Sequence, residues 1–353
     1  MGPILHLNTA WISLTYECNN RCGWCYAASN FRENRGKRMP LDRALGTIDF
    51  LASLDTQKVI LIGGEPTMYS GLEEVILKTK ERGMRAGVIS NGRKFKNLPF
   101  TQKIKESGID YLTISVAGAD AETHDGVTEV RGSFYETLGG IRTACDAGIS
   151  VATNTVIASG NIGELERIVD LMIGEKITEM TFNICGVCVS QESNNSQLLP
   201  LPDAVVAFER VYVYAKSQGI RARLVTPMPI CLFDSELRGE LQARKLITGG
   251  PCQLIYGRNL VVEYDGSIVP CTHLAHFPLL NIFRNGNIVP RDEFLIEYNS
   301  PKGIPFTFRE RMARYPSPKC DTPNCNEPCA GGCPLYWTKF DPEETIKGVK
   351  CQK

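Results

Sequence analysis

The chain reads as an α/β protein built on a parallel sheet, followed by a smaller cysteine-rich region. Three observations predict this. Its 353 residues exceed what one hydrophobic core usually supports. Short runs rich in Val, Ile and Thr alternate with longer amphipathic segments through the first two thirds. Of the 14 cysteines, three crowd into residues 18–25 and seven fall between Cys252 and Cys351.

Taken in order, the first strand is predicted at 10-AWISLTY-16 and the first helix at 41-LDRALGTIDFLASL-54. A second strand, 58-KVILIG-63, leads to a helix over 70–83, and 86-AGVIS-90 to a weaker helical stretch over 98–107. Then come strand 111-YLTISV-116 with helix 134–148, strand 150-SVATNTVI-157 with helix 163–175, and strand 178-TEMTFNI-184. Six such units imply parallel strands joined by right-handed crossovers. Periodicity alone leaves open whether the sheet closes toward a barrel. A polar loop at 190-SQESNNSQ-197 and a helix over 203–219 precede the expected boundary, which divides the chain into 1–225 and 226–353.

Lys+Arg and Asp+Glu are both 39, the formal net charge is 0, and no run of five or six like charges occurs. Nothing therefore points to nucleic acid or an anionic membrane surface. The N-terminus lacks a signal-peptide pattern, no window of about 18 uninterrupted apolar residues exists, and His6 breaks the myristoylation pattern after Gly2. A cytoplasmic location is expected, and there thiols stay reduced. Metal ligation then becomes the leading reading of so many cysteines.

In parallel α/β folds the chemistry sits on loops leaving the C-terminal strand ends. The loop 17-ECNNRCGWCY-26 leaves the first strand and 63-GGEP-66 leaves the second, so both face one mouth. A four-iron cluster takes four thiolates when complete. Cys18, Cys22 and Cys25 supply three. A zinc knuckle would add a nearby Cys or His, yet the closest histidines in sequence are His6 and His124.

The spacing of 18-CNNRCGWC-25, C-x3-C-x-aromatic-C with Trp24 as the aromatic, resembles the signature of the radical SAM superfamily, and Gly63-Gly64-Glu65-Pro66 is similar to its GGE motif. The resemblance implies a partial (β/α)6 TIM-like barrel. It implies a [4Fe-4S] cluster on Cys18, Cys22 and Cys25 whose open iron chelates S-adenosyl-L-methionine. Electron transfer to the sulfonium then yields a 5′-deoxyadenosyl radical that abstracts hydrogen from a substrate carbon. Cofactor contacts implied by the family are Trp24, Gly63, Gly64, Glu65, Ser90, Ser115 and Asn154, with Asn91 a further candidate. Gly63 and Gly64 would let backbone groups approach the methionine ammonium, with Glu65 helping to hold it. Ser and Asn at strand ends also commonly cap helices or make turns.

The C-terminal cysteines resemble the SPASM extension of radical SAM enzymes. Cys252, Gly266 and Cys271 keep that pattern, as do Cys320, Cys329, Cys333 and Cys351; the remaining ligand stands at Cys325, five residues after Cys320 rather than three. Carried over, Cys252, Cys271 and Cys333 would hold a nearer auxiliary cluster, with Cys231 the candidate fourth ligand. Cys320, Cys325, Cys329 and Cys351 would hold an outer one, making three [4Fe-4S] clusters in all. Read without the first loop, the same block would suit a zinc ribbon.

Cys185 and Cys188 form a further C-x2-C after the sixth strand, and Cys188 is a candidate hydrogen-atom donor to a substrate radical. Small apolar packing is the alternative, and the preferred one for Cys145. The family implies a peptide-modifying enzyme: crosslinking, oxidation or epimerisation of a ribosomally made peptide. Oxidation or epimerisation of a small molecule, such as an aminoglycoside or sugar alcohol, is the alternative. Partners would be an external electron donor such as flavodoxin or ferredoxin and, because Cys18 lies so early, a separate leader-peptide-binding protein. A non-catalytic electron carrier has no use for an open iron beside a GGE loop.

Overall fold

The computed structural model describes residues 7–25, 33–188, 195–250, 252–253, 257–312 and 329–345. Seven strands run parallel in chain order: Thr9–Ser13 (β1), Lys58–Ile62 (β2), Arg85–Ser90 (β3), Tyr111–Ser115 (β4), Val151–Ile157 (β5), Glu179–Ile184 (β6) and Arg221–Leu224 (β7). The six predicted strands are all present. The seventh comes from the stretch read as a domain boundary.

Helices Leu41–Ser53 (α1), Leu72–Glu81 (α2), Leu98–Glu106 (α3), Ala121–Thr128 (α4), Ser133–Asp146 (α5), Leu165–Gly174 (α6) and Leu201–Ser217 (α7) lie between the strands. Most bury one stripe, as α6 does with Leu165, Ile168, Val169 and Met172. The helix α4 was not foreseen, because AETHDGVT has no apolar period. It is started instead by Asp120, whose carboxylate accepts from Thr123 N–H at 3.0 Å. His124 on α4 is buried and accepts from Ala117 N–H, and burial lowers its pKa to about 4.

The cysteine-rich region does not stand apart from the sheet. Asn259–Val262 (β8) pairs parallel with the free edge of β1; Ser267–Val269 (β9) and Leu280–Asn281 (β10) follow antiparallel. The result is one open ten-stranded sheet, ordered β10-β9-β8-β1-β2-β3-β4-β5-β6-β7. Ser235–Ala243 (α8), Arg291–Asn299 (α9) and Ile304–Met312 (α10) complete the helices used below. Phe294 of α9 meets Phe50 of α1 edge-on at 5.1 Å, so the two ends of the chain share one core. Truncating such a ring to Ala costs about 3–5 kcal/mol.

Alternation fixes what each strand presents. Ala10, Ile12, Val59, Leu61, Val88, Leu112, Ile114, Phe182 and Val262 belong to the core beneath the helices. Their neighbours, among them Trp11, Ser13, Tyr111, Ser115, Asn154, Asn183 and Arg223, take the opposite, inner face.

Candidate active site

At the C-terminal strand ends the two predicted loops are stitched together. Gly64 N–H donates to Thr15 O at 2.7 Å, and Glu65 N–H donates to Glu17 O at 2.8 Å. Gly63 has φ +148°, and a Cβ there would fall 2.4 Å from Thr15 O. Its missing side chain is thus required by the chain's own backbone, where close approach to a ligand had been expected.

Glu65 is the hub of this arrangement. It is 1% exposed. Its Oε1 accepts from Thr67 N–H at 3.1 Å, Thr67 Oγ1 at 2.7 Å and Ser90 Oγ at 2.7 Å, while Oε2 accepts from Asn91 N–H at 2.7 Å. Burial still outweighs these four bonds and raises its pKa. Ser90 Oγ also accepts from Gly92 N–H at 2.9 Å, so its hydroxyl is used in both directions within the protein.

Cys18, Cys22 and Cys25 are half-buried on the loop, with Cys25 N–H closing a turn onto Cys22 O over Gly23 and Trp24. Burial first, then the Glu65 charge, pushes the Cys18 thiol up to about 12; burial and Cys25 do the same to Cys22. Desolvated thiols with so little positive charge nearby suit ligation by a cationic centre that would draw off their protons. Among the described residues no three His, Cys, Asp or Glu side chains close on a single metal ion. Cys18 and Cys22, and Cys22 and Cys25, are in electrostatic reach of each other, an arrangement suited to a thiolate-held metal centre.

Sequence reasoning missed what holds this loop. Arg93 donates through one guanidinium nitrogen to Asn19 O and to Asn20 Oδ1, at 2.8 Å for the latter, and through Nε to Glu136 at 2.6 Å. Asn91 Nδ2 donates to Asn19 Oδ1 at 2.6 Å. From α4, Thr128 O and Val127 O accept from Arg21 and Gly23 N–H. The cysteine loop is therefore gripped from β3 and α4 at once. Its signal in the sequence is the Asn and Arg of 90-SNGR-93, which only the fold brings to residue 19.

On the inner face Ser115 lies opposite Asn154, and Asn154 opposite Thr181. Asn154 Oδ1 accepts from Asn183 Nδ2 at 2.6 Å and Thr181 Oγ1 at 3.2 Å, while Asn183 Oδ1 accepts from Thr226 Oγ1 at 3.1 Å. This polar ladder crosses three strands. Beside it, Glu263 follows β8 and was not singled out from sequence. It is buried, accepting from Ser13 Oγ at 3.1 Å and Tyr16 Oη at 2.5 Å, and burial pushes its pKa up to about 7.

Beyond the sheet, Cys252, Cys271 and Cys333 are within electrostatic reach of one another. Burial, then Cys333 and Cys252, raises Cys271, while burial and Cys252 raise Cys333 to about 12. Cys329 lies nearby, its sulfur accepting from Gly331 N–H at 3.3 Å. Cys231 is half-buried on a short turn of helix beginning at Ile230. Cys320, Cys325 and Cys351 lie outside the described residues. Cys185 and Cys188 are buried within reach of each other, and Cys185 is pushed up to about 12 by burial and Cys188. The Cys185 and Ile184 carbonyls both accept from buried Tyr336 Oη, which links this loop to the segment after Cys333.

Residues 12–172 match the model of the radical SAM superfamily. The matched segment holds both the Cys18–Cys25 loop and Gly63-Gly64-Glu65. The Fe-coproporphyrin III synthase of Methanosarcina barkeri is 32% identical over 170 residues, 48% of this chain and 42% of that relative. The chain thus spans less than half the length of that curated relative. Likeness to solved structures reaches further along the chain. Streptococcus suis SuiB bound to its precursor peptide SuiA superposes with TM-score 0.73 at 16% identity, covering 96% of this chain and 74% of SuiB. Native anSMEcpe with bound AdoMet and the Cp18Cys peptide gives TM-score 0.68 at 16% identity, covering 92% and 88%. The shared fold includes the cysteine-rich C-terminal region.

Proposed function

We propose that this protein is a radical SAM enzyme that modifies peptides. In this reading Cys18, Cys22 and Cys25 hold a [4Fe-4S] cluster that binds S-adenosyl-L-methionine. Together these supply, when bound, a 5′-deoxyadenosyl radical able to take hydrogen from an unactivated substrate carbon.

The chain's own part is to place and shield that centre. Arg93, Asn91 and α4 hold the cysteine loop in one position, and Glu65 ties the ends of β2 and β3 to it. Trp24, Gly63, Gly64, Ser115 and Asn154 remain the residues assigned to the bound cofactor. Asn154 presents its Nδ2 for this, since its Oδ1 is occupied by Thr181 and Asn183. Ser90 serves through Glu65 and Gly92. Cys252, Cys271 and Cys333 are assigned to the nearer auxiliary cluster with Cys231, and Cys320, Cys325, Cys329 and Cys351 to the outer one. Cys188, buried beside Cys185, is the assigned hydrogen donor. An external electron donor and a cytoplasmic setting complete the reading; among the described residues no helix is long and apolar enough to cross a membrane.

The observation that carries a peptide substrate is the extent of the likeness. The sequence relative named for tetrapyrrole chemistry is matched over 48% of this chain, whereas the fold of SuiB with its peptide is matched over 96%. A small-molecule substrate is the second reading, favoured by that sequence relative.

The test is 5′-deoxyadenosine formation by anaerobically reconstituted protein under dithionite, first alone, then with candidate precursor peptides and with a porphyrin. Stimulation by a peptide, with a mass change in that peptide, is expected. Absence of deoxyadenosine under every condition defeats the radical SAM activity itself. Stimulation by the porphyrin alone defeats the peptide assignment.

A further inference from the structure

The opposite rim of the sheet, at the N-terminal strand ends, carries an unusual set of charges. Lys58 opens β2, Arg85 opens β3, Tyr111 opens β4, and Arg223 stands in β7. All four alternate onto the inner face. The Tyr111 ring lies across Gly87, where a Cβ would fall 2.1 Å from its Cζ. Lys58 Nζ sits 5.9 Å and the Arg85 guanidinium 5.8 Å from the centre of that ring.

Lys58 answers to two cations and to no carboxylate. Burial, then Arg85 and Arg223, lowers the Lys58 pKa, and nothing among its neighbours raises it. Asp110, beside Tyr111, accepts from Lys80 Nζ and from Ala86 N–H, both at 2.7 Å, and is the carboxylate that acts on Arg85 and Tyr111. Glu179 begins β6 on the same face but is not among the groups that shift Lys58. Two donors there are buried without a partner, Tyr111 Oη and Arg223 Nε. Buried donors are normally satisfied, and each exception calls for an explanation.

We propose that this floor binds a single tetrahedral oxyanion of the phosphate class. One such ion would satisfy both orphaned donors and neutralise the mutual repulsion of three cations. Several oxygens pointing in different directions are needed to meet two guanidinium groups, an ammonium and a phenol, which chloride lacks. Lys58, Arg85 and Tyr111 open their strands at the ends away from the cysteine loop, so the site does not rest on the reading of that loop.

The experiment is thermal unfolding of the anaerobically purified protein in inorganic phosphate against sodium chloride at matched pH and ionic strength. The wild-type midpoint should rise saturably with phosphate. In Lys58→Gln the apparent affinity for phosphate should fall about tenfold, the loss of one charge-assisted hydrogen bond. In chloride alone Lys58→Gln should unfold no earlier than the wild type, since one of three repelling charges is gone. Glycerol phosphate in a parallel series shows whether the bound ion keeps one oxygen toward solvent or is enclosed; either result supports the site provided inorganic phosphate binds. Equal midpoints in phosphate and chloride, an unchanged phosphate response in Lys58→Gln, or destabilisation of that variant in chloride would each overturn it.

Discussion

Replacing Glu263 by Gln should remove a pH dependence of stability that the wild type carries. The carboxyl is buried between Ser13 and Tyr16, with no cation among the groups that shift it, and its pKa stands near 7 against an ordinary value of 4.5. A folded-state pKa above the unfolded one means the native state binds the proton more tightly. The stabilisation is then complete below the unfolded pKa and is lost as pH rises through about 7. The shift of about 2.5 units is worth about 3 kcal/mol in full, and about 2 kcal/mol of it is lost between pH 5.5 and 8. Gln is nearly isosteric: its oxygen accepts from Ser13, and its amide donates to Tyr16 once that hydroxyl rotates. The assay is urea unfolding of both proteins across this pH range under anaerobic conditions, read as their difference. Parallel curves at every pH would refute the reasoning, since they would mean that Glu263 is hydrated or compensated by a cation.

Glu65→Gln places an amide N–H against Asn91 N–H and should cost about 1–3 kcal/mol in urea unfolding, with less iron retained after reconstitution; stability within 0.5 kcal/mol of wild type would show the four bonds to be dispensable. Arg93→Met frees Asn19 O and Asn20 Oδ1 and leaves Glu136 to Lys96, so about 2 kcal/mol should be lost and chelator should strip iron from the Cys18 loop faster. Replacing Cys18, Cys22 and Cys25 together by Ala should abolish 5′-deoxyadenosine formation while auxiliary iron remains; persistent formation would sink the cluster assignment. Cys325→Ala should lower iron and sulfide at the outer cluster, and unchanged values would reject that ligand set.

The strands of the first 184 residues were legible because each is a run of β-branched or apolar residues between turn formers, and the helices because their buried stripes repeat at three and four residues. The helix α4 was not legible, since a side-chain cap and a buried histidine define it rather than a stripe. Nor was the join of β8 to β1. A four-residue strand gives too short a pattern to be told from a loop, and the eye is drawn instead to the cysteine spacing around it. At the site, Cys18, Cys22 and Cys25 stand out by their spacing, and Glu65 by its likeness to the GGE motif. Arg93 and Glu263 do not, because their partners lie about 73 and 250 residues away, and only the folded chain brings them together.

The placement of β8 beside β1 has a consequence for synthesis. As the chain is made, β1 has one edge that can be paired by β2 within some fifty residues, and another that must wait for residue 259. At about 5–20 residues per second this is an interval of about 12–50 s, during which that backbone edge and Ser13 stand open to water. Glu263 arrives only at its end. The nascent chain can therefore pair β1 with β2, on either side of its cysteine loop, well before β8 and Glu263 cover the far edge of β1.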